Sequence, residues 1–273
     1  MFGKDLSKFI NHTPFEINSV AQITQHPNRP KPLREYDQIY MLPGSQLTQA
    51  KIISDYLRGR EVVFLGDGDC MSLVLGYLGK LDIIEAPENM LVLDFDERIL
   101  KFIKDTAHEL GLHKDLIEVI RYNVKDPIPR KYKYHSDVFY TNPPYGSVNQ
   151  GKSGILFLGR CMELCKPIGS WGVAILPYEH HTRWSQEAME RIQLFLAKQG
   201  YVISEMIRGL HQYHLDDRPE LLSGTVVVDR VTEVGLPYAG LTLKESELKH
   251  FYGKNITKMP DYIGLDGKPT SIR

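Results

Sequence analysis

The chain has 273 residues, with 33 Lys and Arg against 34 Asp and Glu, for a formal net charge of −1. Hydrophobic residues make up 42% and charged residues 25%, enough apolar material for one large core. Charge alone therefore does not hold this chain on nucleic acid, no apolar run reaches the roughly 18–20 residues of a membrane helix, and the N-terminus lacks the apolar core of a secretory signal.

The expected location is the cytoplasm. The cysteines, Cys70, Cys161 and Cys165, are odd in number and irregularly spaced, which reads as buried small hydrophobes rather than a disulfide framework or a zinc site. The first ~35 residues carry the Pro-rich stretch HPNRPKP (26–32) and read as an arm or small cap. Leu47, Ala50, Ile53 and Leu57 repeat at helical spacing and predict a helix over 45–58. Strands and helices then alternate. Strands are expected at 61–66, 90–96, 116–123, 136–145 and 170–178, and helices at 70–80, 97–111, 151–166 and 185–200, the last with Ser185 as N-cap. Two further strands, 201–210 and 223–231, have no helix between them and so are expected to be antiparallel at one edge. The tail from Thr232 is polar, with one short helix expected around 244–250.

This α/β pattern of seven strands resembles class I S-adenosylmethionine-dependent transferases over about residues 60–231, which implies a Rossmann-like, mostly parallel sheet with helices on both faces. The domain expectation is an N-terminal arm and helix capping the cofactor site (1–58), a catalytic domain (59–231) and a C-terminal extension (232–273).

Three motifs carry the chemistry. LGDGDCMS (65–72) falls between the first strand and its helix. Gly66 and Gly68 let backbone approach a ligand, and Asp67 and Asp69 suit a cationic sulfonium better than a pyrophosphate. Asp69 could equally cap the following helix. In LVLDFDER, Asp94 ends the second strand and is placed to accept both ribose hydroxyls, with Phe95 beside it; Asp96 and Glu97 read as helix caps. The class pattern puts an adenine contact after the third strand, where Asn123 stands, with Asp126 as the neighbouring alternative. The third motif is NPPY (142–145). Its two prolines hold Asn142 extended. The Asn142 side-chain carbonyl and the Pro143 backbone carbonyl could accept both hydrogens of an amino group, and Tyr145 could stack on a flat acceptor. This tetrad resembles the signature of amino-methyltransferases. Gly146, Gly151 and Gly154 could allow a mobile lid.

Weaker candidates are Asp37, Gln38 and Thr48, in chain expected to fold over the cofactor, and Tyr178, Glu179 and His180, expected to line the acceptor pocket. His180–His181 and the His211/His214 pair are read as solvated loop residues, and no metal is expected.

Over ~33–230 the chain also resembles the branched-chain polyamine synthases, which move aminopropyl groups from decarboxylated S-adenosylmethionine onto spermidine. The resemblance rests on YDQ (36–38), VVFLGDGD (62–69), LVLDFDERILKFI (91–103), VFYTNPPY (138–145), SGILFLGRCMELCK (153–166) and GYVISEMIRGLHQYH (200–214). Archaeal members carry an N-terminal winged-helix-like region, which is not expected within these 273 residues. Two departures stand out. Gly68 replaces the middle acid of the family's acidic triplet, and Asn142 opens a loop that the family usually opens with Asp.

A polycation needs carboxylates, whereas a planar aromatic amine needs acceptors and a stacking surface. The local residues thus point to S-adenosylmethionine-dependent methyl transfer onto the exocyclic amine of a nucleobase, adenine favoured, in DNA or RNA. Asn142, Pro143, Tyr145 and Asp69 would act at the acceptor, while Gly66, Asp67, Gly68, Asp94, Phe95, Asn123 and Asp37 would hold the cofactor. The alternatives are aminopropyl transfer to spermidine, with Asp67 and Asp69 serving the acceptor, and a catalytically inactive cofactor-binding module. Expected partners are accordingly a nucleic acid or polyamine acceptor, no membrane, and a second copy of the chain.

Overall fold

The structure is a computed structural model that describes residues 7–178, 182–216, 221–254, 256 and 258–270. It begins with two helices, α1 (Ser7–Ile10) and α2 (Pro14–Thr24). The arm expected over the first ~35 residues is therefore partly helical. The signal was local: Thr13 accepts from the Glu16 backbone amide while the Glu16 carboxylate accepts from that of Thr13, and Pro14 sits in the first turn. Glu16 also pairs with Lys51 at 2.6 Å, joining α2 to α3 (Pro43–Leu57).

Strands and helices then alternate: β1 (Glu61–Leu65), α4 (Met71–Lys80), β2 (Asn89–Asp94), α5 (Glu97–Glu109), β3 (Ile117–Arg121), β4 (Val138–Thr141), α6 (Lys152–Leu164), β5 (Trp171–Pro177) and α7 (Arg183–Lys198). The strands β6 (Tyr201–His211) and β7 (Ser223–Arg230) follow without a helix, and a small ribbon pairs β8 (Tyr262–Ile263) with β9 (Pro269–Thr270). The main sheet has seven strands in the order β3-β2-β1-β4-β5-β7-β6. β1 through β5 pair in parallel, and β7 runs antiparallel to both β5 and β6. This is the Rossmann-like arrangement expected, with the antiparallel strand one place in from the edge that β6 occupies. Among the described residues no helix is long and apolar enough to cross a membrane.

The period-two alternation of the central strands builds two cores. Val62, Phe64, Met90, Val92, Val138 and Val173 face the layer of α2–α5, and Val63, Leu65, Leu91, Leu93, Phe139 and Ala174 face the layer of α6 and α7. Cys70, Cys161 and Cys165 are free and buried in these cores.

Two local expectations need correction. Thr182, not Ser185, precedes the first residue of α7, and Ser185 is its buried third residue. Residues 244–250 form turns rather than a helix. The extension is nonetheless firmly attached. The fully buried Arg160 of α6 donates to the carbonyls of Tyr238 (2.8 Å) and Leu241 (2.7 Å), and Ser153 donates to that of Phe251 (2.6 Å).

Candidate functional site

The strand order reverses between β1 and β4, and a cavity opens at the carboxyl ends of the strands there, as expected for a doubly wound sheet. Thr141 at the end of β4 donates to the Leu65 carbonyl at 2.8 Å, which holds the loops after the two strands side by side. The eleven residues assigned to the cofactor or the acceptor line this one cavity: Gly66, Asp67, Gly68 and Asp69 from the first loop, Asp94 and Phe95 after β2, Asn123 after β3, Asn142, Pro143 and Tyr145 after β4, and Asp37 from the chain before α3.

The glycine loop is shaped by close packing. Gly66 has φ +72°, and a Cβ there would meet the Phe157 ring at 3.1 Å. Asp67, rather than Asp69, caps α4: its carboxylate accepts from the amides of Met71 (2.7 Å) and Ser72 (3.2 Å) and from the Ser72 hydroxyl (2.6 Å). Burial nonetheless pushes its pKa up to about 7, against the pull of those hydrogen bonds. The Asp94 carboxylate accepts from the amides of Asp67 and Asp96, both at 2.9 Å, which ties the first loop to the second. Burial, then the neighbouring charge of Asp96, raises its pKa to about 7 as well. Asp96 caps α5 as expected, accepting from Arg98 N at 3.0 Å, and also takes the Gln38 amide at 2.9 Å.

Asp69 faces the acceptor loop. Its Oδ1 accepts from Met41 N at 2.8 Å and its Oδ2 from the Asn142 amide nitrogen at 2.8 Å. Burial raises its pKa; the charge of Arg29 and these hydrogen bonds oppose the rise. Because Asn142 spends its nitrogen on Asp69, its side-chain oxygen is left to accept from a ligand.

Four expectations change in this setting. Asn123 does not offer its amide to a purine, because its nitrogen donates to the carbonyls of Pro260 (2.9 Å) and Asp261 (2.6 Å) and so anchors the C-terminal extension. Tyr145, expected only to stack on a flat acceptor, is tied through its hydroxyl to that of Tyr213 at 2.8 Å. Gly146 and Gly151 close a turn, Gly151 N donating to Gly146 O at 2.9 Å, and Gly154 lies inside α6; they lead into the helix instead of forming a lid. His211 is no solvated loop residue but the buried end of β6. Of the weaker candidates, Gln38 lines the cavity, while Asp126, Thr48 and Tyr178 do not. Thr48 pairs with His12, and Tyr178 lies under Arg208. Glu179, His180 and His181 fall outside the described residues.

Several wall residues were not anticipated: Tyr36, Tyr40, Tyr213, and Tyr252 and Met259 from the extension. Tyr252 stacks on Phe95 (centroids 5.6 Å apart, 15° between planes), with Tyr36 edge-on to both. The Tyr252 hydroxyl is buried without a hydrogen-bond partner. The only hint in the sequence was the aromatic pair Phe251–Tyr252 in an otherwise polar tail. Four aspartates line the cavity, Asp37, Asp67, Asp69 and Asp94, and none of the described lining residues is Lys, Arg or His.

The profile of the branched-chain polyamine synthase A C-terminal domain matches residues 17–243. The chain belongs to that family. N(4)-bis(aminopropyl)spermidine synthase of Thermococcus kodakarensis is 30% identical over 199 residues, which is 72% of this chain and 52% of the relative. The protein of the same name from Methanocaldococcus jannaschii is 35% identical over 192 residues, 68% of this chain and 50% of the relative. The chain thus spans about half the length of these curated relatives. Among solved structures, the branched-chain polyamine synthase from Thermus thermophilus in complex with N4-aminopropylspermidine and 5'-methylthioadenosine superposes with a TM-score of 0.69 at 23% identity, covering 84% of this chain and 68% of that one, which supports the fold.

These relatives overturn the reading of the site as a nucleobase methyltransferase: the curated synthases are named for aminopropyl chemistry on spermidine. The cavity gives the physical reason. A wall with four carboxylates and no cation among its described residues disfavours a phosphate backbone and favours a cationic acceptor. The loss of one acid in each of two motifs had suggested too few carboxylates, but Asp37 and Asp94, read from the sequence as cofactor residues, share the wall with Asp67 and Asp69.

Proposed function

We propose that this chain transfers an aminopropyl group from decarboxylated S-adenosylmethionine to a nitrogen of a spermidine-like polyamine. The observation that carries this reading is the composition of the cavity wall, four aspartates with no described Lys, Arg or His. Both substrates are cations. The carboxylate of intact S-adenosylmethionine would find no positive side chain among these residues, so the decarboxylated form fits better.

In this reading Asp94 accepts the ribose hydroxyls, and the backbone at Gly66 and Gly68 lets the nucleoside approach. Tyr36, Phe95 and Tyr252 supply an aromatic wall on the same side, where Asn123 acts indirectly by holding the extension. Asp37, in the chain before α3, faces the cationic end. Asn142 offers its oxygen and Pro143 its carbonyl to the attacking amine, and Tyr145 stands beside them. The nitrogen lone pair displaces the sulfur at the adjacent methylene carbon. The C–S bond breaks with its electrons going to sulfur, and 5'-methylthioadenosine leaves as a neutral thioether. Asp69 takes the proton that the nitrogen gives up, since its raised pKa makes it a better base than an exposed carboxylate and Asp67 is committed to α4. Positioning and removal of water supply the rest.

The test is direct. The protein is incubated with spermidine and either decarboxylated or intact S-adenosylmethionine, and products are separated by chromatography. The expected result is 5'-methylthioadenosine and an aminopropylated polyamine from the decarboxylated donor alone. Methyl transfer from the intact donor, or binding of the decarboxylated donor with no transfer to any polyamine, would overturn the assignment; the latter outcome describes an inactive cofactor-binding module.

A further inference from the structure

Behind Tyr145 a chain of polar side chains runs into the core. The Tyr145 hydroxyl meets that of Tyr213 at 2.8 Å, Tyr213 meets Ser223 Oγ at 2.5 Å, Ser223 meets His211 Nδ1 at 2.8 Å, and His211 Nε2 meets Gln49 Oε1 at 2.8 Å. The same Gln49 oxygen accepts from the Thr225 hydroxyl at 2.5 Å. Ser223, His211, Gln49 and Thr225 are fully buried, and Tyr213 is 8% exposed. The groups come from α3, β6 and the segment just after it, β7, and the loop after β4, so no local sequence pattern accounts for their meeting.

The direction of this chain follows from its inner end. The Gln49 side-chain oxygen has no hydrogen to give, so His211 Nε2 must carry the proton. Burial lowers the His211 pKa to about 3, so the ring is neutral and Nδ1 is bare. Nδ1 therefore accepts from Ser223, Ser223 from Tyr213, and Tyr213 from Tyr145. Each hydroxyl has one hydrogen, and each is spent inward. The Tyr145 oxygen, on a residue that lines the cavity, keeps lone pairs that can accept from a ligand. Asp69 acts on Asn142 in a similar way, accepting one of its two amide hydrogens and fixing the side chain whose oxygen is an acceptor, and both Asn142 and Tyr145 line the cavity.

We propose that His211 is a positioning residue: through Ser223 and Tyr213 it orients the Tyr145 hydroxyl so that Tyr145 receives a hydrogen bond from the polyamine nitrogen instead of donating one. This rests on the reading of the site as a polyamine aminopropyltransferase and assigns a role to a buried network that neither the glycine loop nor the Pro-Pro loop requires. Breaking the chain at any link frees the Tyr145 hydrogen to turn toward the cavity, where it opposes an N–H donor.

The experiment compares Tyr213→Phe, Ser223→Ala and the Tyr213→Phe/Ser223→Ala double variant with the wild-type chain. It measures KM for spermidine by release of 5'-methylthioadenosine, and affinity for 5'-methylthioadenosine by calorimetry. Each single variant should raise KM for spermidine about 5- to 20-fold, the effect of one lost or reversed hydrogen bond, and leave nucleoside affinity within about twofold. The double variant should be no worse than Tyr213→Phe, because a directed chain is broken only once. An unchanged KM, additive effects, or a parallel fall in nucleoside affinity would sink the inference, the last by showing general loosening. Failure of the wild-type chain to transfer to any polyamine would instead overturn the proposed function and this inference with it.

Discussion

The two sides of the cavity are built on opposite hydrogen-bond logic. On the side of β1 and β2, carboxylates accept from backbone amides: Asp94 from Asp67 and Asp96, and Asp67 from the first turn of α4. On the side of β4, side chains bond to side chains, Asn142 to Asp69 and Tyr145 to Tyr213. The first side is held by main chain that the sheet itself positions. The second depends on side chains from distant elements. Changes on the first side should therefore damage binding of the nucleoside, and changes on the second should damage use of the acceptor.

Asp94→Asn should have the largest effect. It loses charge-assisted bonds of about 1.5–3 kcal/mol each to two ribose hydroxyls, so affinity for 5'-methylthioadenosine should fall on the order of 10³-fold in calorimetry. Retained affinity would place the ribose elsewhere. Asn142→Ala is the contrasting change. Turnover with decarboxylated S-adenosylmethionine and spermidine should drop about 100-fold while nucleoside affinity stays within about threefold. A loss of nucleoside affinity with normal turnover would erase the distinction between the two sides.

Asn123→Ala should sharpen the comparison through the extension. The carbonyls of Pro260 and Asp261 would lose their buried donor, costing about 1–3 kcal/mol of stability in denaturant melts. Because Tyr252 and Met259 share that segment, nucleoside affinity should weaken about 3- to 10-fold, a smaller loss than direct removal of Asp94. Unchanged affinity would show that the extension does not shape the nucleoside side.

A pH dependence should accompany these changes. Asp67 and Asp94 have folded pKa values of about 7, against about 4 for an unfolded aspartate. Between these values the folded state holds protons that the unfolded chain has lost, so these two groups make stability fall as pH rises from about 4 to about 7. Asp94→Asn should flatten that slope in thermal melts of the free protein between pH 5 and pH 8. A cationic donor should also drive protons off these groups, giving net proton release on binding near pH 7 when calorimetry is repeated in buffers of different ionisation enthalpy. Proton uptake would contradict the placement of the cation near these acids.

Much of the sheet was legible because its signals are local. β1, β2 and β5 are short apolar runs bounded by turns, and α5 shows its buried face in Leu100 and Ile103. The motif loops were legible for the same reason: a parallel sheet puts every loop after a strand's carboxyl end on one side, so Gly66, Asp94 and Asn142 had to meet once the strands were placed. The choice of acceptor was misread because Asp37 and Asp94 were assigned to the cofactor alone, and only the acids of the glycine loop and the Pro-Pro loop were weighed for the acceptor. That all four share one wall, and that none of its described residues is basic, belongs to the assembled surface rather than to any stretch of chain.

The sequence by itself determined the order of strands and helices, the three loops that converge and the family that shares them, because periodicity and turn chemistry act over a few residues. Tertiary structure alone decided what each polar group faces. Asn123 turns to the extension, Asp67 to α4, and Tyr145 to a line of hydroxyls ending at His211, whose partner Gln49 lies 162 residues away. A buried donor or acceptor must be satisfied by whatever the fold brings within about 3 Å, and that neighbour can come from anywhere in the chain.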